Sequence, residues 1–167
     1  MVEKTLDMAG LIFAWQDDSP DNVYYLDTKT GEVRLVNQNL TDVRDLTDEI
    51  EKNRERFRYL PKPDRGELIS DLKDFMNSVQ DMSLKNILSI AFESPHLLLA
   101  FKKILEKNPD ELRRLDEFRA QKVEKRIQQW LFANHIPSSF KVDETEDFEE
   151  DDDFDEPEND LDFGVQN

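Results

Sequence analysis

The sequence predicts an α+β protein. A small antiparallel sheet, a hairpin plus a third strand, packs with a mostly helical C-terminal bundle, and a disordered acidic tail follows. Three observations predict this. Two β-branched and aromatic segments, Val23–Asp27 and Glu32–Val36, flank a turn that ends in Gly31. Apolar residues recur at helical spacing from Leu68 to Leu131. After Phe140 the composition changes abruptly to aspartate and glutamate.

Charge divides the chain in the same place. The net charge is -17 over 167 residues, but residues 141–167 hold fourteen Asp and Glu against one Lys. That segment therefore carries -13 and the first 140 residues -4, so the body is a nearly balanced globular domain. The expected organisation is one α+β domain over 1–140 and a disordered tail over 141–167. A body of that size buries roughly two-thirds of its unfolded surface, enough for a core without staples. There is no cysteine, which excludes disulfides, thiolate catalysis and thiolate zinc sites and fits a reducing cytosol. The longest apolar run, Met8 to Trp15, is too short to span a bilayer. It also lacks the basic start and small-residue cleavage site of a signal peptide. A cytoplasmic location with no membrane contact is the expectation.

In chain order, Thr5 to Trp15 reads as a short helix, with Leu6, Ala9, Ile12 and Phe13 at helical spacing and Gly10 weakening it. Val23–Asp27 and Glu32–Val36 are strands. Between them Asp27 is placed to bond the turn backbone, and Gly31 to take the positive φ of a bulged loop. Thr41 to Glu55 is a polar helix with a narrow stripe of Val43, Leu46 and Ile50. Arg56–Leu60 supplies the third strand, because a lone hairpin is marginal in water.

Asp64-Arg65-Gly66-Glu67 has capping-box spacing, with Glu67 reaching back to Asp64. The helix it opens carries Leu68, Ile69, Leu72, Phe75, Met76 and Val79 on one face. The next begins near Ser83, with Leu84, Ile87, Leu88 and Ala91 inward. Ser94-Pro95 and Asn108-Pro109 each place an N-cap side chain before a proline at the first helical position. They start a helix bearing Leu97, Leu98, Phe101, Ile104 and Leu105, and a long one from Pro109 to Asn134. The long helix turns Leu112, Leu115, Phe118, Val123, Ile127, Trp130 and Leu131 inward.

Several of these residues also form a recognisable set. They are Tyr24-Tyr25-Leu26-Asp27 with Thr30-Gly31-Glu32-Val33, then Arg58-Tyr59-Leu60-Pro61, then Asp74-Phe75-Met76. Leu97 to Leu105 around Phe101 and Lys102 follows, and then Gln129-Trp130-Leu131. In this order and spacing the set resembles an uncharacterised family of small bacterial proteins of unknown function, over about residues 5 to 138. The resemblance implies a soluble bacterial cytoplasmic protein of mixed α and β structure. It brings no established activity, so no catalytic residue carries over, and the acidic tail departs from the pattern.

The candidate sites are few. No nucleophile has a base beside it in the sequence pattern, and no phosphate loop or cofactor motif is present, so no catalytic residue and no cofactor is expected. His96 and His135, the two histidines, read as surface residues at helix ends rather than metal ligands, and no metal is expected. Asp71 and Asp74 read as the solvent face of their helix. Asp151-Asp152-Asp153-Phe154-Asp155 lacks the glycine and distal glutamate of a calcium loop.

Arg54, Arg56, Arg58, Lys62 and Arg65, interleaved with Phe57 and Tyr59, are candidate phosphate or nucleic-acid contacts. A strand with one packed and one wet face is the favoured account of them. The long helix adds Arg113, Arg114, Arg119, Lys122, Lys125 and Arg126, interleaved with acids as on an ordinary solvated helix. Phe132, off the buried stripe, and the tail hydrophobics Phe148, Phe154, Leu161 and Phe163 are candidate partner-binding residues.

The reading that follows is a non-enzymatic interaction protein with an unknown protein partner. The alternative is a nucleic-acid-associated protein whose basic strand and last helix contact phosphate while the tail competes for that surface. An enzyme with a cryptic carboxylate site ranks last. The sequence does not fix the oligomeric state.

Overall fold

The structure, a computed structural model, describes residues 2–40 and 43–142. The hairpin forms as the sequence predicts. β2 (Asn22–Asp27) and β3 (Val33–Asn37) pair antiparallel with Leu26 opposite Val33. β4 (Phe57–Tyr59) joins the other edge of β2, giving the order β3-β2-β4. At the turn, Gly31 takes φ +79° and its N–H donates to the Asp27 carbonyl at 2.7 Å. A Cβ on Gly31 would enter the ring of Phe140, so this position excludes other residues by space as well as by φ.

Alternation along β2 sends side chains to both faces of the sheet. Tyr24 and Leu26 pack on Leu11, Ala14 and Trp15 of α1 (Met8–Gln16) and on Val123, Ile127 and Leu131 of α6 (Pro109–Ala133). Trp15 and Trp130 meet edge to face at 5.5 Å. On the opposite face, Val23, Tyr25, Val36 and Phe57 are covered by Leu46 and Ile50 of α2 (Val43–Lys52).

The other core is helical. α3 (Arg65–Ser78), α4 (Met82–Ile90), α5 (Leu97–Leu105) and the first half of α6 enclose Leu72, Phe75, Leu88, Phe101, Leu105 and Leu115. Phe75 meets Phe101 and Phe118 edge to face. The single long helix α6 thus belongs to both cores, its first half to the bundle and its second to the sheet.

Several expectations change. The N-terminal helix starts at Met8 rather than Thr5, and Val2–Thr5 is instead strand β1. It pairs antiparallel with β5 (Ser139–Val142), Thr5 opposite Ser139. The body therefore continues through Val142, two residues past the composition break. α1 is also rotated: Leu11, Ala14 and Trp15 are buried, while Phe13 is exposed. Gly10 has a local reason, since the Asp7 carboxylate caps the helix by accepting from the Gly10 N–H, and a Cβ there would collide with it.

Other differences lie at helix ends and faces. Ser94 is not the N-cap of α5. A 3₁₀ turn, Ala91–Glu93, precedes it, the Ser94 Oγ accepts from the His96 N–H, and His96 itself is the cap residue. Ile87 is exposed. Asp64 caps α3 as predicted, but Glu67 turns to Arg126 instead of reaching back. Asp71 is buried rather than solvent-facing, because it sits one turn from Leu68 and Phe75 on the packed side of α3.

α6 starts at Pro109 after Asn108 as predicted, although the Asn108 side chain makes no capping bond. It closes with the Ile136 N–H on the Leu131 carbonyl and the His135 N–H on that of Phe132. His135 occupies the left-handed position, φ 58°, where glycine is usual. The expected tail disorder concerns residues that lie, apart from Lys141 and Val142, outside those described.

Candidate functional site: a cationic cleft at Arg119

Most of the cations singled out in the strand region already have partners. Arg56 grips the buried Asp27 with two hydrogen bonds, Nε to Oδ1 at 2.8 Å and Nη2 to Oδ2 at 2.7 Å. Burial would raise the Asp27 pKa, but the bonds from Arg56 and the Lys29 N–H outweigh it and hold the carboxyl below its usual range. Arg54 lies 3.4 Å from Glu51. Lys62 donates to the carbonyls of Ser19, at 3.0 Å, and Asn22. Arg58 and Arg65 are exposed and make no ion pair among the described residues. Arg56 and Lys62 thus tie distant parts of the chain together, Arg54 makes an exposed pair with a residue three positions away, and Arg58 and Arg65 face solvent.

Lys62 helps fix the loop after α1. Asp17 accepts from the Tyr24 hydroxyl at 2.6 Å, the Asn22 side chain at 2.8 Å and the Ser19 N–H at 3.0 Å. These bonds, that from Tyr24 foremost, lower the Asp17 pKa, while burial and then the Asp17 bond push Tyr24 up to about 12. The segment from Gln16 to Asp18 is thereby held still, and it forms one wall of a cleft.

Along α6 the cations separate by what α3 and α5 present to them. Arg113 pairs with Asp110 at 3.2 Å. Arg114 is held by Glu111 at 2.8 Å, by Ser78 Oγ at 2.8 Å, and over the Phe75 ring at 4.2 Å. This accounts for the polar hollow around Ser78 and Glu111. Lys122 reaches Asp74 at 2.9 Å. Arg126 makes two bonds to Asp71, at 2.6 and 2.7 Å, and lies 3.5 Å from Glu67.

Lys125, which is exposed, and Arg119 make no ion pair among the described residues, and of the two Arg119 is the unusual one. It is partly buried, yet its guanidinium makes no hydrogen bond, ion pair or ring contact among the described residues. Burial pushes its pKa below the ordinary arginine value, against the opposing fields of Asp71 and Asp116. The group nevertheless stays protonated at any physiological pH.

Arg119 lines a cleft of about 510 Å³ between the end of α1, the start of α3 and the start of α5. A narrow extension runs toward Asp71 and Arg126. Arg65 and Lys102 line the cleft with it, against Asp18 and Asp64. Lys102 is 3.8 Å from Asp116, and one Asp64 oxygen accepts from the Gly66 N–H at 3.3 Å. Leu68, Leu98 and Leu99 supply an apolar side, with Leu99 67% exposed. The α5 N-terminus opens on the same space, and its cap residue His96 makes no side-chain capping bond. An arrangement of cations beside exposed leucines suits a ligand that is both anionic and apolar.

Phe132 is 84% exposed, as its place off the stripe predicts. Phe148, Phe154, Leu161 and Phe163 lie outside the described residues. Among the described residues no group of three or more His, Cys, Asp or Glu is disposed to hold a metal ion. No helix among them is long and apolar enough to cross a membrane.

Sequence reasoning found Arg119 only as one of six cations on α6. The available signal was its spacing: Leu112, Leu115, Phe118, Leu-facing Arg119 and Val123 lie close to one buried stripe.

A family model, described as Uncharacterised protein family (UPF0158), matches residues 4–161. The chain belongs to that family. The match runs past Val142 and covers the acidic segment as far as residue 161. No curated protein and no solved structure matches the chain.

Proposed function

We propose that the chain is a non-enzymatic, cytoplasmic interaction protein whose body docks an acidic, apolar-bearing protein segment in the Arg119 cleft. The observation that carries this reading is the partly buried Arg119 guanidinium, which makes no direct hydrogen bond or ion pair among the described residues, beside exposed Leu99. A partly buried guanidinium with no direct hydrogen-bond partner is costly in the free protein, and a bound carboxylate offsets that cost. A nucleic-acid reading has a weaker base, the two unpaired surface cations Arg58 and Arg65.

The test is fluorescence anisotropy with a labelled dodecapeptide of Asp and Glu around one Phe, with single- and double-stranded DNA and RNA oligonucleotides alongside. The peptide is expected to bind saturably, more weakly as salt rises, and at least tenfold more weakly to Arg119→Gln. Binding of oligonucleotides but not peptide, or peptide binding indifferent to Arg119→Gln, overturns the proposal.

A further inference from the structure

The acidic segment beyond Val142 has the composition that this cleft selects. Residues 143–167 carry fourteen acids and no base, and the run Asp151-Asp152-Asp153-Phe154-Asp155 places a phenylalanine among carboxylates. For the charges the cleft offers Arg119, Arg65 and Lys102, which outnumber its two acids Asp18 and Asp64, and for the ring Leu68, Leu98 and Leu99.

The segment also starts within reach. β5 ends at Val142, opposite Val2, and β1 leads from Val2 through Asp7 into α1. α1 ends at Gln16, in the cleft wall. Following β1 and α1, the path from Val2 to Gln16 is at most about 35 Å, from ~3.3 Å per strand residue and ~1.5 Å per helix residue. The twelve residues from Val142 to Phe154 extend to about 40 Å. Phe154 therefore spans the path even at its greatest length.

We infer that the cleft's occupant is this chain's own segment Asp151–Asp155, with Phe154 against the cleft leucines and the flanking carboxylates at Arg119. The inference rests on the reading of the cleft given above and names its ligand. The segment then acts as a tethered competitor that any outside acidic partner must displace. A flexible tether holds a ligand at an effective concentration on the order of 1 mM. If the free segment binds with a Kd of about 100 μM, the tethered one fills the cleft roughly ten to one and weakens outside binding about tenfold.

The experiment uses the full chain throughout and a labelled peptide of residues 147–159 at low salt. Three proteins are compared with the native chain: Phe154→Ser with Asp152→Asn and Asp153→Asn, that triple variant with Leu99→Asp, and the triple variant with Arg119→Gln. Leu99→Asp changes an exposed position in the first turn of α5, where an acid suits the helix dipole, so folding is undisturbed. The triple variant is expected to bind the peptide about tenfold tighter than the native chain, and either added change to weaken that binding at least tenfold. Equal binding by native chain and triple variant, lost with Arg119→Gln, overturns self-occupancy and leaves the cleft reading standing. No peptide binding by the triple variant, or oligonucleotide binding in its place, overturns both.

Discussion

Arg126 and Arg119 lie seven residues apart on α6, hence on nearly the same face of one helix. Both are partly buried, and their surroundings are opposite. At Arg126, α3 brings in Asp71 and Glu67 and the seam between the helices is closed by charge. At Arg119 no carboxylate makes a direct bond among the described residues, Asp71 and Asp116 act on it only through their fields, and the guanidinium lines a cleft with Gln16, Leu68 and Leu98. The pair separates two uses of one residue type. A cation with a carboxylate built opposite it is part of the fold. One without is available to something that arrives.

The largest effect is expected from breaking the closed seam. Asp71→Ala leaves Arg126 with only the 3.5 Å approach of Glu67. It should lower unfolding free energy by about 3 kcal/mol, the lower end of the range for half of a buried pair, because Arg126 keeps some access to water. Adding Arg126→Met should recover most of the loss, since an apolar side chain of similar length fills the seam without a charge to compensate. Urea unfolding of the two variants checks this; a double variant no more stable than Asp71→Ala would mean that the ion pair, not the packing, closes the seam.

How far this contrast can be read from sequence follows from where the deciding partner sits. The hairpin was legible because Asp27, Gly31 and the strand residues act within fifteen positions of each other. The starts of α3 and α6 were legible for the same reason, through Asp64 and the Asn108-Pro109 pair. The β1–β5 pairing was not: Val2–Thr5 is short and polar, and its partner lies at the far end of the body. A period-two reading of Ser139-Phe140-Lys141-Val142 was the one hint available. Asp71 could have been placed inside from its position between Leu68 and Phe75. Arg119 could not have been told from Arg126, because 55 residues separate Arg126 from the carboxylate that binds it.

A middle-sized effect concerns the wall that keeps the cleft open. Tyr24→Phe removes the 2.6 Å bond to Asp17 and should cost about 1.5–3 kcal/mol at neutral pH, as for a hydrogen bond to a charged group. The pH dependence has a definite sign. The folded-state pKa of Tyr24 lies near 12, above its usual value of 10.0, so its contribution is full below pH 10 and is lost as pH rises toward 12. Asp17 is depressed from 3.8, so its contribution is present above that value and is lost as pH falls below it. The native and Tyr24→Phe stabilities should therefore differ most between about pH 4 and 10 and converge on either side. Denaturation at pH 3, 7 and 11 decides; a gap unchanged from 7 to 11 would show that Tyr24 is not held neutral by this bond.

The smallest effect sharpens the comparison most. Arg119→Met keeps the aliphatic length that packs along α6 and deletes the charge that has no partner. A closed-seam arginine replaced in this way on its own would destabilise, because Asp71 would be left buried and alone. At Arg119 no hydrogen-bonded carboxylate is left behind, since Asp71 keeps both bonds to Arg126 and loses only a field, and removing the desolvated charge should raise stability by about 1 kcal/mol. The measurement belongs in the chain carrying Phe154→Ser, Asp152→Asn and Asp153→Asn, so that any docking of the acidic segment does not enter the difference. The same substitution should abolish binding of the acidic peptide. Higher thermal stability with lost binding is the signature of a group retained for a ligand at the expense of the fold. A loss of more than 1 kcal/mol would place Arg119 in the same class as Arg126, as a part of the fold.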